Sequence, residues 1–73
     1  MNPKVFESEL KILEILWNSG DMPAARIADE ARKLFGWSTT TTYTVIKKCV
    51  DKGVIERRAP KFICHPKLKQ QDI

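Results

Sequence analysis

Apolar residues recur along the first third of the chain at the spacing of a helix. Phe6, Leu10, Leu13 and Trp17 stand at i, i+4, i+7 and i+11, and Ile12, Ile15 and Leu16 widen the stripe. A helix this apolar has to be covered by other elements around most of its circumference. Glu7, Glu9, Lys11 and Glu14 mark the part expected to stay in water. Ser8 or Asn2 is a possible cap at its start, and Asn18-Ser19-Gly20 stops it, Gly20 suiting a left-handed C-terminal position.

The pattern then restarts twice. Asp21-Met22-Pro23 opens a second helix, with proline at the first helical position, where its missing N–H costs nothing. Ile27, Ala28, Ala31, Leu34 and Phe35 form its apolar face, and Gly36 ends it. Ser38 is a good N-cap for a third helix. The run Thr39-Thr40-Thr41-Thr42 is a poor helix former, so a strand competes over residues 37–45. Helical spacing continuing through Val45, Ile46, Cys49 and Val50, with Gly53 as the stop, favours a helix. Beyond it, Val54 to Arg58 and Phe62 to His65 read as the two strands of a hairpin around Ala59-Pro60-Lys61. Pro66 ends the second strand, and Lys67 to Ile73 read as a loosely ordered tail. Three helices followed by a hairpin give a mainly α fold with a small β-hairpin, a three-helix winged helix-turn-helix. The expectation is one domain over residues 1–73, with its core at about 6–66.

Length and composition narrow the class. A chain of 73 residues buries only roughly 60% of its unfolded surface, so its core has to be used efficiently. An apolar fraction of 42% is too high for a disordered chain. No run approaches the ~18–20 apolar residues of a membrane span, and the first residues do not read as a secretory signal. Cytoplasmic residence, away from any membrane, is the default expectation. Cys49 and Cys64 make no disulfide framework. Cys64-His65-Pro66 hints at a metal, but a single cysteine far upstream does not supply the paired spacing of a zinc site, so neither metal nor cofactor is expected. The formal net charge is +4, with the basic excess in residues 37–73 while residues 5–36 are nearly balanced.

The third helix gives that charge a use. Turned at 100° per residue, Thr42, Val45, Ile46 and Cys49 point inward. Thr40, Tyr43, Thr44 and Lys47 point outward, with Lys48 and Asp51 at the margin. A merely solvated helix carries Glu and Lys in (i, i+4) pairs. This face instead presents hydroxyls, a phenol and lysines near the helix start, where a major-groove helix meets base edges. The free N–H groups at Ser38 and Thr39 suit a phosphate. Arg57, Arg58 and Lys61 place a basic wing beside this face, able to neutralise backbone phosphates. The plain reading of those charges is protection of an exposed sheet edge. Trp17 and Trp37 read as core, Trp37 stapling the entry to the third helix. His65 has no partner evident in the sequence.

Ser8-Glu9-Leu10, Ile12-Leu13 and Ile15-Leu16-Trp17, then Trp37-Ser38-x-x-Thr41-x-x-Thr44 and Lys52-Gly53-Val54-Ile55, resemble the penicillinase-repressor family, which includes the methicillin-resistance regulator and copper-transport repressors. The resemblance covers about residues 7–68. It implies a winged-helix repressor that binds a palindromic double-stranded operator as a homodimer. By position it places Ser38, Thr41, Thr44 and Lys48 in the recognition helix. The C-terminal dimerisation helices of the family would start about where the sequence stops. The DNA-binding set expected overall is Ser38, Thr39, Thr40, Thr41, Tyr43, Thr44, Lys47, Lys48, Arg57, Arg58 and Lys61. The alternative is a winged helix that docks an acidic protein partner. An enzyme is not expected, because no carboxylate pair, nucleophile constellation or glycine-rich phosphate loop can be placed.

Overall fold

The computed structural model describes residues 4–58 and 62–72. In chain order it runs α1 (Glu7–Ser19), β1 (Met22–Pro23), α2 (Ala24–Phe35), α3 (Thr39–Lys52), β2 (Ile55–Arg58), β3 (Ile63–Pro66) and a 3-10 turn at Gln70–Asp72. This is the expected mainly α winged helix-turn-helix arrangement.

The sheet has one strand more than expected. Met22 pairs with Cys64 and Pro23 with Ile63, which makes a three-stranded antiparallel sheet of order β1-β3-β2. Pro23 is therefore not the first helical residue. It ends an edge strand, a place that tolerates a residue with no N–H to give a ladder, and it caps α2 from outside in extended conformation. On the other side β2 and β3 pair from Ile55↔Pro66 to Arg58↔Ile63. The wing is thereby tied back to the turn between α1 and α2. His65 adds a tie, its Nδ1 lying 2.8 Å from Asp21 Oδ2, a partner far away in sequence.

Ile12, Leu13, Leu16, Ile27, Cys49, Val54, Ile55 and Cys64 are fully buried where the helices meet the sheet. Each large aliphatic side chain among them contributes about 1.5–3 kcal/mol by leaving water. Leu34 departs from its expected face and is 61% exposed. It lines a shallow groove with Glu14, Ile15 and Asn18 that is too open to cover it. Phe6 is also exposed, serving as the N-cap residue of α1 in place of Ser8. Asn2 lies outside the described residues. Trp37 is half-buried and meets Phe35 with ring centroids 5.3 Å apart. The chain after Pro66 is less loose than expected as far as Leu68. The Lys67 amide donates to the Val54 carbonyl, and Trp17 Nε1 donates to the Leu68 carbonyl at 2.9 Å. No described helix is long and apolar enough to cross a membrane.

Candidate nucleic-acid interface

The threonine run is helical because its hydroxyls stay inside the helix. Ser38 caps α3 by accepting from the Thr41 amide at 3.1 Å. Thr42 Oγ1 donates to the Ser38 carbonyl at 3.0 Å, and Thr44 Oγ1 to the Thr40 carbonyl at 2.9 Å. Threonine has this option in a helix, which offsets part of its low intrinsic propensity. At the far end Gly53 takes a left-handed conformation and the Val54 amide closes the last turn onto the Cys49 carbonyl.

These bonds also fix what α3 shows to the outside. Thr42, Val45, Ile46 and Cys49 are buried, while Ser38, Thr39, Thr40, Thr41, Tyr43, Thr44, Lys47 and Lys48 are exposed. The Thr44 hydroxyl proton is spent on Thr40, so its lone pairs and methyl face outward. Thr41 is the reverse. Its hydroxyl oxygen accepts from Ser38 Oγ at 2.9 Å, which leaves its own proton free to donate. Neighbouring threonines on one helix thus present opposite hydrogen-bonding characters.

The adjacent lysines Lys47 and Lys48 of α3 have different surroundings. Lys47 lines a cleft of about 480 Å³ between α3 and the wing. Its floor is Ile46 and Val50, and its walls are Tyr43 and Lys47 on one side and Arg57 and Phe62 on the other. Lys48 is exposed, and its charge helps to hold the Glu9 carboxylate in its ionised form. On the wing both arginines are exposed. Arg58 Nε is 2.7 Å from Glu56 Oε2, an ion pair along its own strand, whereas Arg57 lies over the Phe62 ring at 5.1 Å. Lys61 lies outside the described residues.

Two residues had been misread or missed. Glu9, expected in water, is 1% exposed. Its Oε1 accepts from the Phe6 amide at 2.9 Å and from Lys52 Nζ at 2.7 Å. Burial pushes its carboxyl up, but the Lys52 hydrogen bond, the Phe6 amide and the charges of Lys52 and Lys48 outweigh this and hold it below the usual range. A signal was available: Glu9 is the third residue of α1, where a carboxylate reaches back to a free N–H. The other is Phe62, which sequence reasoning treated as strand filler. It is 59% exposed, with φ at +53°. No pattern of apolar spacing marks a side chain redirected by a left-handed backbone. Cys49 and Cys64 are free and buried, and burial, followed by the nearby Glu9 charge, pushes the Cys49 thiol up to about 12.

Known proteins share this arrangement. A solution structure of the Bacillus licheniformis BlaI monomeric form in complex with the blaP half-operator is similar with a TM-score of 0.80 and 20% identity, over 97% of this chain and 89% of that one. The solution structure of the DNA binding domain of the repressor BlaI gives 0.81 at the same identity and coverage. The penicillinase repressor of Bacillus licheniformis is 21% identical over 72 residues, 96% of this chain and 56% of that protein. The chain thus spans about half the length of this curated relative. A family model described as penicillinase repressor matches residues 6–73, nearly the entire sequence. The chain belongs to the penicillinase repressor family.

Proposed function

We propose that this chain is the DNA-binding unit of a sequence-specific transcriptional repressor, acting in the cytoplasm as a homodimer on a palindromic operator. One observation carries the reading. The outward face of α3, with Thr40, Tyr43, Thr44 and Lys47, stands across a cleft from the basic wing residue Arg57. Such a pair of elements suits a helix in the major groove beside a wing on the sugar–phosphate backbone. The half-operator complex of the similar BlaI structure supports the same use of the fold. The binding unit is residues 6–68, since Leu68 is held by Trp17.

Each site residue takes a role from its chemistry. The Ser38 and Thr39 amides and the Thr41 hydroxyl proton sit at the helix start, where they donate to a phosphate. Thr40, Tyr43 and Thr44 meet base edges. With its proton engaged internally, Thr44 reads as an acceptor, which suits an adenine or cytosine amino group, or as a methyl against a thymine methyl. Lys47, Lys48 and Arg57 neutralise phosphates, and Arg58 joins them only by leaving Glu56. Lys61, outside the described residues, carries the same cationic chemistry and is proposed for the same role.

The test is selection of bound duplexes from a random pool, using this chain and a tethered dimer of it. A palindrome recovered by the dimer supports the reading, and an unselected pool refutes it. On a recovered site, Thr44→Ala should relax the preference at one base pair by about 1 kcal/mol. Arg57→Gln should weaken all sequences alike and lower the salt slope by about one.

A further inference from the structure

The cleft between α3 and the wing has an apolar component that phosphate neutralisation does not use. Phe62 is a large aromatic side chain left mostly in water, on a backbone of φ +53° that a non-glycine residue rarely adopts. The left-handed turn aims its ring into the same cleft as Tyr43, which is 43% exposed. Arg57 lies across that ring at 5.1 Å, so its guanidinium is held at the rim, with no anion partner among the described residues. Lys47 supplies a second cation from the opposite wall.

If α3 occupies a major groove and the wing the adjacent minor groove, one DNA strand has to pass between them. That strand alternates sugars with phosphates, apolar with anionic. The cleft lining supplies both kinds of partner, the Tyr43 and Phe62 rings for the sugars and the Lys47 and Arg57 cations for the phosphates. Asp51 stands one helical turn beyond Lys47 at the cleft margin and repels phosphate, so the strand is confined to the Lys47–Arg57 end. We propose that this cleft seats the DNA strand that runs between the two grooves, with Phe62 packed on a deoxyribose and Arg57, braced against the ring, on the adjoining phosphate. The inference rests on the DNA-binding reading above and adds to it a residue that binds without charge. Bracing Arg57 before binding lowers the side-chain entropy lost on contact.

Anisotropy titration of a labelled duplex, at several salt concentrations, tests it with the selected site and a random duplex. Phe62→Ala should weaken binding to both by about tenfold, the effect of losing roughly half an aromatic side chain's burial. The log–log salt slope should stay unchanged, because no counterion is released by an apolar contact. Lys47→Gln should lower the slope. Phe62→Tyr should bind like the parent chain. Phe62→Gly suits the positive φ, keeps the wing geometry and removes only the ring, so it should bind as weakly as Phe62→Ala even if that variant folds poorly. Binding by Phe62→Ala and Phe62→Gly within about twofold of the parent, while Lys47→Gln still loses affinity, would overturn the Phe62 contact and leave the DNA reading standing. No binding of any duplex by the parent chain would overturn both.

Discussion

The two ends of α3 are built in opposite ways. At the C-terminal end, Lys52 is enclosed by the Glu9 carboxylate at 2.7 Å, the Lys4 carbonyl at 3.0 Å and the Phe6 ring at 4.1 Å. Gly53 and Val54 then close the last turn onto the Val50 and Cys49 carbonyls. At the N-terminal end, Ser38 through Thr41 are all exposed, and the first turn contains no acidic residue. Its side-chain hydrogen bonds among the described residues are local ones within the first turns. One end is thus clamped to α1, and the other projects with the positive end of its dipole unneutralised. The positive dipole end and the free Thr41 proton together suit an anion, the role proposed above for this end. On the proposed DNA-binding reading, the clamped finish holds the helix while its start stays open to a ligand.

The sharpest way to break this contrast is to cut the clamp. Lys52→Met keeps the stem of the side chain and removes the charge, leaving Glu9 ionised in a site 1% exposed, with the Phe6 amide as its remaining hydrogen bond among the described residues and only the weaker charge of Lys48. Stability should fall by about 3 kcal/mol, the lower end of the range for stranding a buried charge. Glu9→Gln should cost less, because Lys52 retains 29% exposure and can turn to water while the glutamine still accepts from Phe6. Urea unfolding measures both. If the glutamine variant were the less stable of the two, the burden would lie on the lysine and the contrast would be drawn wrongly. The pH dependence carries a sign. The Glu9 carboxyl is held below its ordinary 4.5 in the fold, so its contribution is present above about pH 4.5 and lost as pH falls through the folded value. In Lys52→Met the hydrogen-bonded cation is gone, leaving the lesser Lys48 charge, and burial raises the same carboxyl. Acid should therefore favour the variant's fold, and the gap between the two proteins should narrow below neutral pH.

Ser38→Ala tests the other end and should cost about 1 kcal/mol, the usual value of an N-cap. It removes the acceptor of the Thr41 amide and the donor to the Thr41 hydroxyl together. In thermal melts its effect should be about a third of that of Lys52→Met. In DNA titration the order should reverse, since Ser38 stands at the proposed interface and Lys52 does not.

The contrast was half visible in the sequence. Ser38, the alternation of buried and exposed positions along α3, and Gly53 are local signals, and they sufficed for the helix, its cap and its outward face. The clamp depends on residues 43 positions apart, Glu9 and Lys52, and no periodicity links them. Charge was read as a mark of solvent exposure, which fails where a carboxylate finds both an N–H and an ammonium. β1 was missed for a similar reason. Two residues before a helix make no strand pattern, and only pairing with Ile63 and Cys64 creates one. The left-handed Phe62 follows from the path of the wing, which no residue in its neighbourhood announces.

The gentlest test leaves stability almost untouched and puts the same probe at both ends. Cys49 lies on the buried side of α3, with its thiol pushed up to about 12, so the thiolate that reacts is scarce as well as shielded. Its alkylation at pH 8 should proceed only as fast as the chain opens, and Cys64 should behave likewise. Thr40→Cys places a thiol in the exposed first turn, where the helix dipole favours the thiolate, so it should react at least as fast as a free thiol. Mass spectrometry separates the three sites. Adding a duplex selected by the protein should slow only the residue-40 thiol. Protection of Cys49 with equal labelling at position 40 would place the DNA elsewhere. Fast labelling of Cys49 in Lys52→Met, with position 40 unchanged, would show that the clamp alone keeps the far end shut.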